Sequence, residues 1–211
     1  MKKLIVEFIG TFFLVFTVGS VCSATVSPVL GALAIGSSLM VMVYAGGHIS
    51  GGHYNPAVTL GVWLRGKCDC KDVVPYWITQ LVAALVAALI IGIIYSKSSV
   101  LNVGAAADVK VLPAILAEFI GAFALVWVVL NTATAKGTAG NSFYGLAIGF
   151  TVFVCAVSVG GFSGGAFNPA VGLGVFLMGF ASVKTFIIYL VVDLIGGAVA
   201  ALTFKAVNGV E

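Results

Sequence analysis

Apolar residues run along this chain in blocks separated by short polar breaks. Residues 4–24 form the first block, and after a turn around Pro28 a second covers 31–45. A glycine-rich run at 46–52 follows, then Asn55-Pro56-Ala57 and an apolar stretch ending at Leu64. The polar cluster 65–72 leads into a third block at 73–94, and 96–111 is the longest polar connection. The pattern then repeats: 112–130, a polar loop at 131–141, 142–159, a second glycine-rich run at 160–165, Asn168-Pro169-Ala170, and a last block at 183–206. Six blocks have a length near the roughly 20 residues a helix needs to cross a bilayer. The stretches after the two Asn-Pro-Ala boxes are far too short for that.

The boxes sit in a repeated frame. GGHISGGHYNPAVTLGVWL at 46–64 returns as GGFSGGAFNPAVGLGVFL at 160–177, with Ser50/Ser163, Asn55/Asn168 and Val58/Val171 paired at an offset of 113 residues. Val6-Glu7-Phe8-Ile9-Gly10 likewise returns as Ala117-Glu118-Phe119-Ile120-Gly121. Asn is a preferred N-cap and Pro is tolerated at the first helical position, so each box reads as a helix start, over 56–64 and 169–178. The glycine runs before them are expected to be irregular backbone, which survives in a membrane only where protein buries it or water lines it. The bland alternative is two N-caps in ordinary interhelical loops. Three spans per half is an odd number, so the halves face opposite ways: an inverted repeat, 1–95 and 112–211, within one membrane domain over 1–211.

Composition agrees with a membrane solvent. Hydrophobic residues make up 61% and charged residues 8%, against about 25% charged in soluble domains, and mean hydropathy is +1.20. The net charge of +3 carries no nucleic-acid signal here. Lys2 and Lys3 before an apolar block could mark a signal peptide, but the Glu-Phe-Ile-Gly repeat makes that block part of the fold. Seven Lys or Arg residues fall on the side holding both termini and three on the other, which puts the termini in the cytoplasm and 96–111 outside. The short termini point to a prokaryotic plasma (inner) membrane.

Two half-helices entering from opposite faces would bring Asn55 and Asn168 together near mid-membrane. Each tip carries about half a positive charge. A lumen with that centre, two amide donors and glycine-loop carbonyls suits small neutral hydrogen-bonding molecules and opposes cations.

These motifs resemble the aquaporins (major intrinsic proteins) over nearly the whole chain, with His48-Ile49-Ser50-Gly51-Gly52-His53-Tyr54-Asn55-Pro56-Ala57-Val58 similar to the first box of bacterial and plant water channels. The resemblance implies an all-α fold of six transmembrane helices and two re-entrant half-helices, a pore in each subunit and a homotetramer in membrane lipid. It also implies that Glu7 and Glu118, with His48, support the re-entrant loops. Selectivity residues depart from the family pattern. Val171 stands where most members have Arg, and the other constriction positions fall on Ile35, Ala156 and Gly165. Val171 is similar to plant tonoplast intrinsic proteins, some of which pass ammonia, urea or hydrogen peroxide, though Ile35 replaces their His. Gly172 replaces the Asp of glycerol facilitators.

Other residues add less. His48 and His53 flank a flexible glycine loop and make a poor metal pair, and no cofactor is implied. Cys68 and Cys70 face the cytoplasm, where disulfides are rare; a redox or metal switch there is a remote reading. Cys22 and Cys155 read as packing residues. Asp193, inside the last block and paired by the repeat with Gln80, is either a structural hydrogen-bonding group or a functional acid. Small residues at Ala84, Ala88, Gly92, Gly197 and Ala201 suggest close helix contacts. No nucleophile, phosphate loop or metal set marks an enzyme. The expected function is a passive channel for water and small uncharged solutes, including ammonia, hydrogen peroxide, and urea or glycerol. The alternatives are a proton-coupled transporter using Glu7, Glu118 or Asp193, and a junction or scaffold protein with a vestigial pore.

Overall fold

The computed structural model describes residues 1–24, 26–96, 106 and 108–209. Most of the long polar connection, with Asn102 in it as a further residue the sequence offers for the filter, therefore lies outside the described residues. Among the described residues eight α-helices follow the apolar pattern: α1 (Lys2–Ser23), α2 (Pro28–Ser50), α3 (Pro56–Leu64), α4 (Cys70–Ile94), α5 (Val111–Val129), α6 (Tyr144–Ser163), α7 (Pro169–Leu177) and α8 (Val183–Asn208). Among the described residues there is no strand. Six of the helices are long and apolar enough to cross a membrane. The half-helices α3 and α7 have nine residues each, roughly 14 Å against a hydrocarbon core of about 30 Å.

Two expectations need correction. The glycine runs are not irregular throughout: α2 continues through Gly46 and Gly47 to Ser50, and α6 through Gly160 and Gly161 to Ser163. Each helix stops only at a left-handed glycine, Gly51 (φ 93°) or Gly164 (φ 99°). A mid-helix glycine costs about 1 kcal/mol, less than the several kcal/mol of leaving its backbone groups unpaired in an apolar medium. The helix therefore persists until the chain must turn. The second correction concerns 131–141, which is not all loop. A π-helical turn, Leu130–Thr134, extends α5, and its Thr132 and Thr134 hydroxyls return hydrogen bonds to Val128 O and Leu130 O.

Helix packing follows the two-fold repeat. In one half α1 packs on α2 and α4, in the other α5 packs on α6 and α8, and α2 against α6 joins them. Each half-helix lies against a long helix of the opposite half, α3 on α8 and α7 on α4. Lipid gives apolar helices no hydrophobic reason to associate, so close backbone approach must supply the packing. At the α2–α6 crossing a Cβ on Gly36 would stand 2.6 Å from Gly149 O, and one on Gly149 would stand 2.4 Å from Gly36 O. Ala83, Ala84, Ala87 and Ala88 of α4 are likewise fully buried. Outward positions such as Ile9, Phe13, Val82, Ile93, Leu116 and Leu202 are large, apolar and exposed, a surface suited to hydrocarbon.

Candidate functional site

Each half builds its re-entrant loop around a glutamate. Glu7, on α1 and fully buried, accepts from Ser50 Oγ (2.7 Å) and His53 N (2.9 Å) at Oε1. Its Oε2 accepts from Tyr54 N (2.7 Å) and Gln80 Nε2 (2.8 Å). Glu118, on α5 and equally buried, accepts from Ser163 Oγ, from Ala166 N (3.1 Å) and from Phe167 N (2.7 Å). Such a carboxylate collects the donors a non-helical loop would otherwise leave unsatisfied in a dry interior.

The residues before the boxes are under strain. Tyr54 and Phe167 both have φ of 49°, a left-handed conformation that is an outlier for bulky side chains and costs on the order of 1–3 kcal/mol. It is held from two sides. The glutamate fixes the N–H of each, and the box asparagine of the other half fixes its carbonyl: Asn168 Nδ2 donates to Tyr54 O and Asn55 Nδ2 to Phe167 O, both at 2.9 Å. The same asparagines cap their own half-helices, Asn55 Oδ1 accepting from Ala57 N and Asn168 Oδ1 from Ala170 N. One amide proton on each remains beyond the cross-link, and both residues border the central cavity. Pro56, Ala57, Pro169 and Ala170 are buried as the first turns of α3 and α7.

The repeated Glu-Phe-Ile-Gly has a physical reason that the sequence pattern alone does not show. A Cβ on Gly10 would stand 2.2 Å from the Tyr54 ring, and one on Gly121 would stand 2.1 Å from the Phe167 ring. Glutamate binds the loop, and the glycine three positions on leaves room for the strained aromatic. Tyr76 and Tyr189 were also missed: their hydroxyls donate to Ser50 O and Ser163 O, the carbonyls ending α2 and α6. The recurrence of both pairs at repeat-related positions was the available signal.

Between the half-helix tips and the face opposite the termini lies a cavity of about 380 Å³. Ile35, Ala156, Gly165 and Val171 all border it, beside Asn55 and Asn168. None of the four has a side-chain hydrogen-bonding group. A second cavity of about 540 Å³ opens on the face that carries the termini, with Lys3, Lys67, Cys68 and Asp72 on its walls. His53 and Val129 border both cavities and mark the divide between them. His48, still within α2, is exposed at the border of the second cavity. His53 is the buried histidine of the loop, its Nδ1 3.1 Å from Thr59 Oγ1. Among the described residues no group of three metal-ligating side chains forms. Cys68 lies at the second cavity outside the spans, and burial, with Asp72 nearby, pushes its thiol up to about 11.

Six apolar helices, two half-helices meeting tip to tip and a cavity at their junction define a membrane channel. The profile of the major intrinsic protein family matches residues 1–204, and the chain belongs to that family. It is 33% identical over 227 residues to Aquaporin Z of Brucella melitensis, covering 99% of each chain. It is 34% identical to Aquaporin AqpM of Methanothermobacter thermautotrophicus over 97% of this chain and 96% of that one. The probable aquaporin TIP2-2 of Arabidopsis thaliana is 36% identical, with 97% and 86% covered. The aquaglyceroporin from Plasmodium falciparum shares the fold, with a TM-score of 0.81 at 23% identity over 98% of this chain and 96% of that one.

Proposed function

We infer that this protein is a passive channel for water and small uncharged solutes, with a wide selectivity filter that lacks arginine. The single observation carrying this reading is the border of the central cavity, where Ile35, Ala156, Gly165 and Val171 offer no side-chain donor. An apolar ring of that kind gives water few partners while admitting less polar or larger neutral molecules such as ammonia, hydrogen peroxide, urea or glycerol. Asn55 and Asn168 at the two half-helix tips supply the polar centre, and the positive ends of α3 and α7 oppose cations. Glu7 and Glu118 support the loops without transporting protons. Four donors occupy Glu7 and three occupy Glu118, which disfavours a proton-coupled transporter.

In this reading the inverted repeats 1–95 and 112–211 are joined by the extracellular connection 96–111. The excess of Lys and Arg on the terminal side supports cytoplasmic termini in a plasma (inner) membrane, and four copies assemble, each with its own pore. The test is a permeability panel on purified protein in liposomes covering water, ammonia, urea, glycerol and hydrogen peroxide. Flux of at least one small solute above that of empty liposomes, linear in its gradient and independent of a pH gradient, is expected. Saturable, pH-gradient-driven uptake would favour a transporter, and no flux of any solute would favour a scaffold.

A further inference from the structure

The two cavities meet at two side chains. Among the described residues only His53 and Val129 border both, and each half of the repeat contributes one. The repeat mate of His53 is Ala166, 113 residues on, and that of Val129 is Val18, 111 residues back. Both mates border the central cavity and not the second. The inverted repeat therefore sets an imidazole and an isopropyl group on the side of the termini, where the mirror level has a methyl and an isopropyl group. The path is pinched on one side and open on the other.

Both walls of the pinch are stiff. His53 N donates to Glu7 Oε1 at 2.9 Å, and the ring's Nδ1 stands 3.1 Å from Thr59 Oγ1. Gln80 Nε2 donates to that Oγ1 at 3.1 Å and to Glu7 Oε2 at 2.8 Å, so a polar chain runs from the buried glutamate to the imidazole. The Tyr76 ring packs edge-on to it, centroids 5.2 Å apart. The second half lacks the whole chain: the counterparts of His53, Thr59 and Gln80 are Ala166, Gly172 and Asp193. Among the described residues no hydrogen bond reaches His53 Nε2. A Cβ on Gly51, in the wall of the second cavity, would stand 3.0 Å from that nitrogen. Val129 is buried on α5 and β-branched, so its χ1 is fixed in the helix and its methyls do not swing aside.

We propose that the divide between His53 and Val129 is a second filter, one that selects by size and offers each solute a single side-chain hydrogen bond, at His53 Nε2. Pore width and the polar groups along it decide which neutral molecules pass. Ile35, Ala156, Gly165 and Val171 bring no polar side chain to the outer border, so discrimination falls to the place where a polar atom and a stiff apolar wall share the path. A water molecule sheds neighbours there and regains one partner. Urea and glycerol are wider and leave several groups unpaired, so they pass more slowly. Without Nε2 the divide is wholly apolar and dewets. The inference rests on the channel reading and adds the pair of residues that grades its solutes.

Water, urea and glycerol flux through purified protein in liposomes tests it, with wild type beside Val129→Ala, Val18→Ala and His53→Leu. Val129→Ala raises the urea-to-water and glycerol-to-water ratios severalfold above wild type, and Val18→Ala, at the mirror position, raises them less. His53→Leu keeps an apolar side chain of similar bulk without the ring nitrogens and loses most of the water flux at equal amounts of folded protein. Unmoved ratios in Val129→Ala, an equal rise in Val18→Ala, or wild-type water flux in His53→Leu would overturn the proposal. Should His53→Leu fail to fold, the ratios of the two valine variants still decide. Should wild type pass no solute, the channel reading fails and the filter with it, whereas wild-type flux with unmoved ratios overturns the filter alone.

Discussion

Asn55 Nδ2 lies 2.9 Å from the carbonyl oxygen of Phe167, a hydrogen bond between residues 112 positions apart, one from each half of the chain. Its mirror, Asn168 to Tyr54, has the same length. The box asparagines thus cap a half-helix, lock a strained residue of the other half and still border the cavity.

Asn168→Asp separates these roles. Aspartate is as good an N-cap as asparagine, so α7 keeps its cap, but the donor to Tyr54 O is lost and a negative charge arrives at the tips of two half-helices. Lower thermal stability and a new cation conductance are expected in the same protein, read from melting and from ion flux in liposomes. An unchanged cation barrier would show that the tips do not set it.

Gly10→Ala and Gly121→Ala each drive a Cβ to within about 2.2 Å of an aromatic ring that is already strained and fully buried. The clash has no flexible end to absorb it, and overpacking of this sort typically costs 1–3 kcal/mol. Both variants should give less folded protein and lower melting temperatures than Gly137→Ala, where a Cβ meets nothing within 4 Å.

Glu7→Ala leaves Ser50 Oγ, His53 N, Tyr54 N and Gln80 Nε2 without their shared acceptor. Each buried donor left unpaired costs on the order of 1–3 kcal/mol, so folded protein should be largely lost on detergent extraction. Glu7→Gln turns one acceptor into a donor facing the Gln80 amide and should destabilise less. Normal folding of Glu7→Gln with all neutral-solute flux gone would instead give Glu7 a part in transport.

Val171→Arg adds donors and a fixed charge at the cavity border. Urea and ammonia flux in liposomes should fall, with water retained at least in part, and any proton leak should shrink. Identical solute profiles for the two proteins would move the filter elsewhere.

The Cys68 thiol, pushed up to about 11 by burial, stays protonated at neutral pH. Since the thiolate is the nucleophile, labelling of Cys68 by an alkylating reagent should be slow at pH 7 and accelerate about tenfold per pH unit up to its pKa. Fast labelling at neutral pH would reopen the redox-switch reading of the Cys68–Cys70 pair.

The sequence by itself determined what short-range chemistry encodes. Asn before Pro starts a helix whatever surrounds it, and α3 begins and ends where the motif predicts, at Pro56 and Leu64. Apolar length marked six spans, and their odd number per half forced the inversion. Tertiary structure decided everything that depends on satisfying backbone groups in the absence of water. It carried α2 and α6 through their paired glycines to Ser50 and Ser163. It set Tyr54 and Phe167 into a conformation that neither residue would choose alone. It also gathered onto Glu7 donors from 43 to 73 residues away and placed the buried His53 ring beside Thr59 Oγ1. Those choices lie outside local propensity, because a buried donor is indifferent to sequence distance and takes whichever acceptor the packed helices bring within reach.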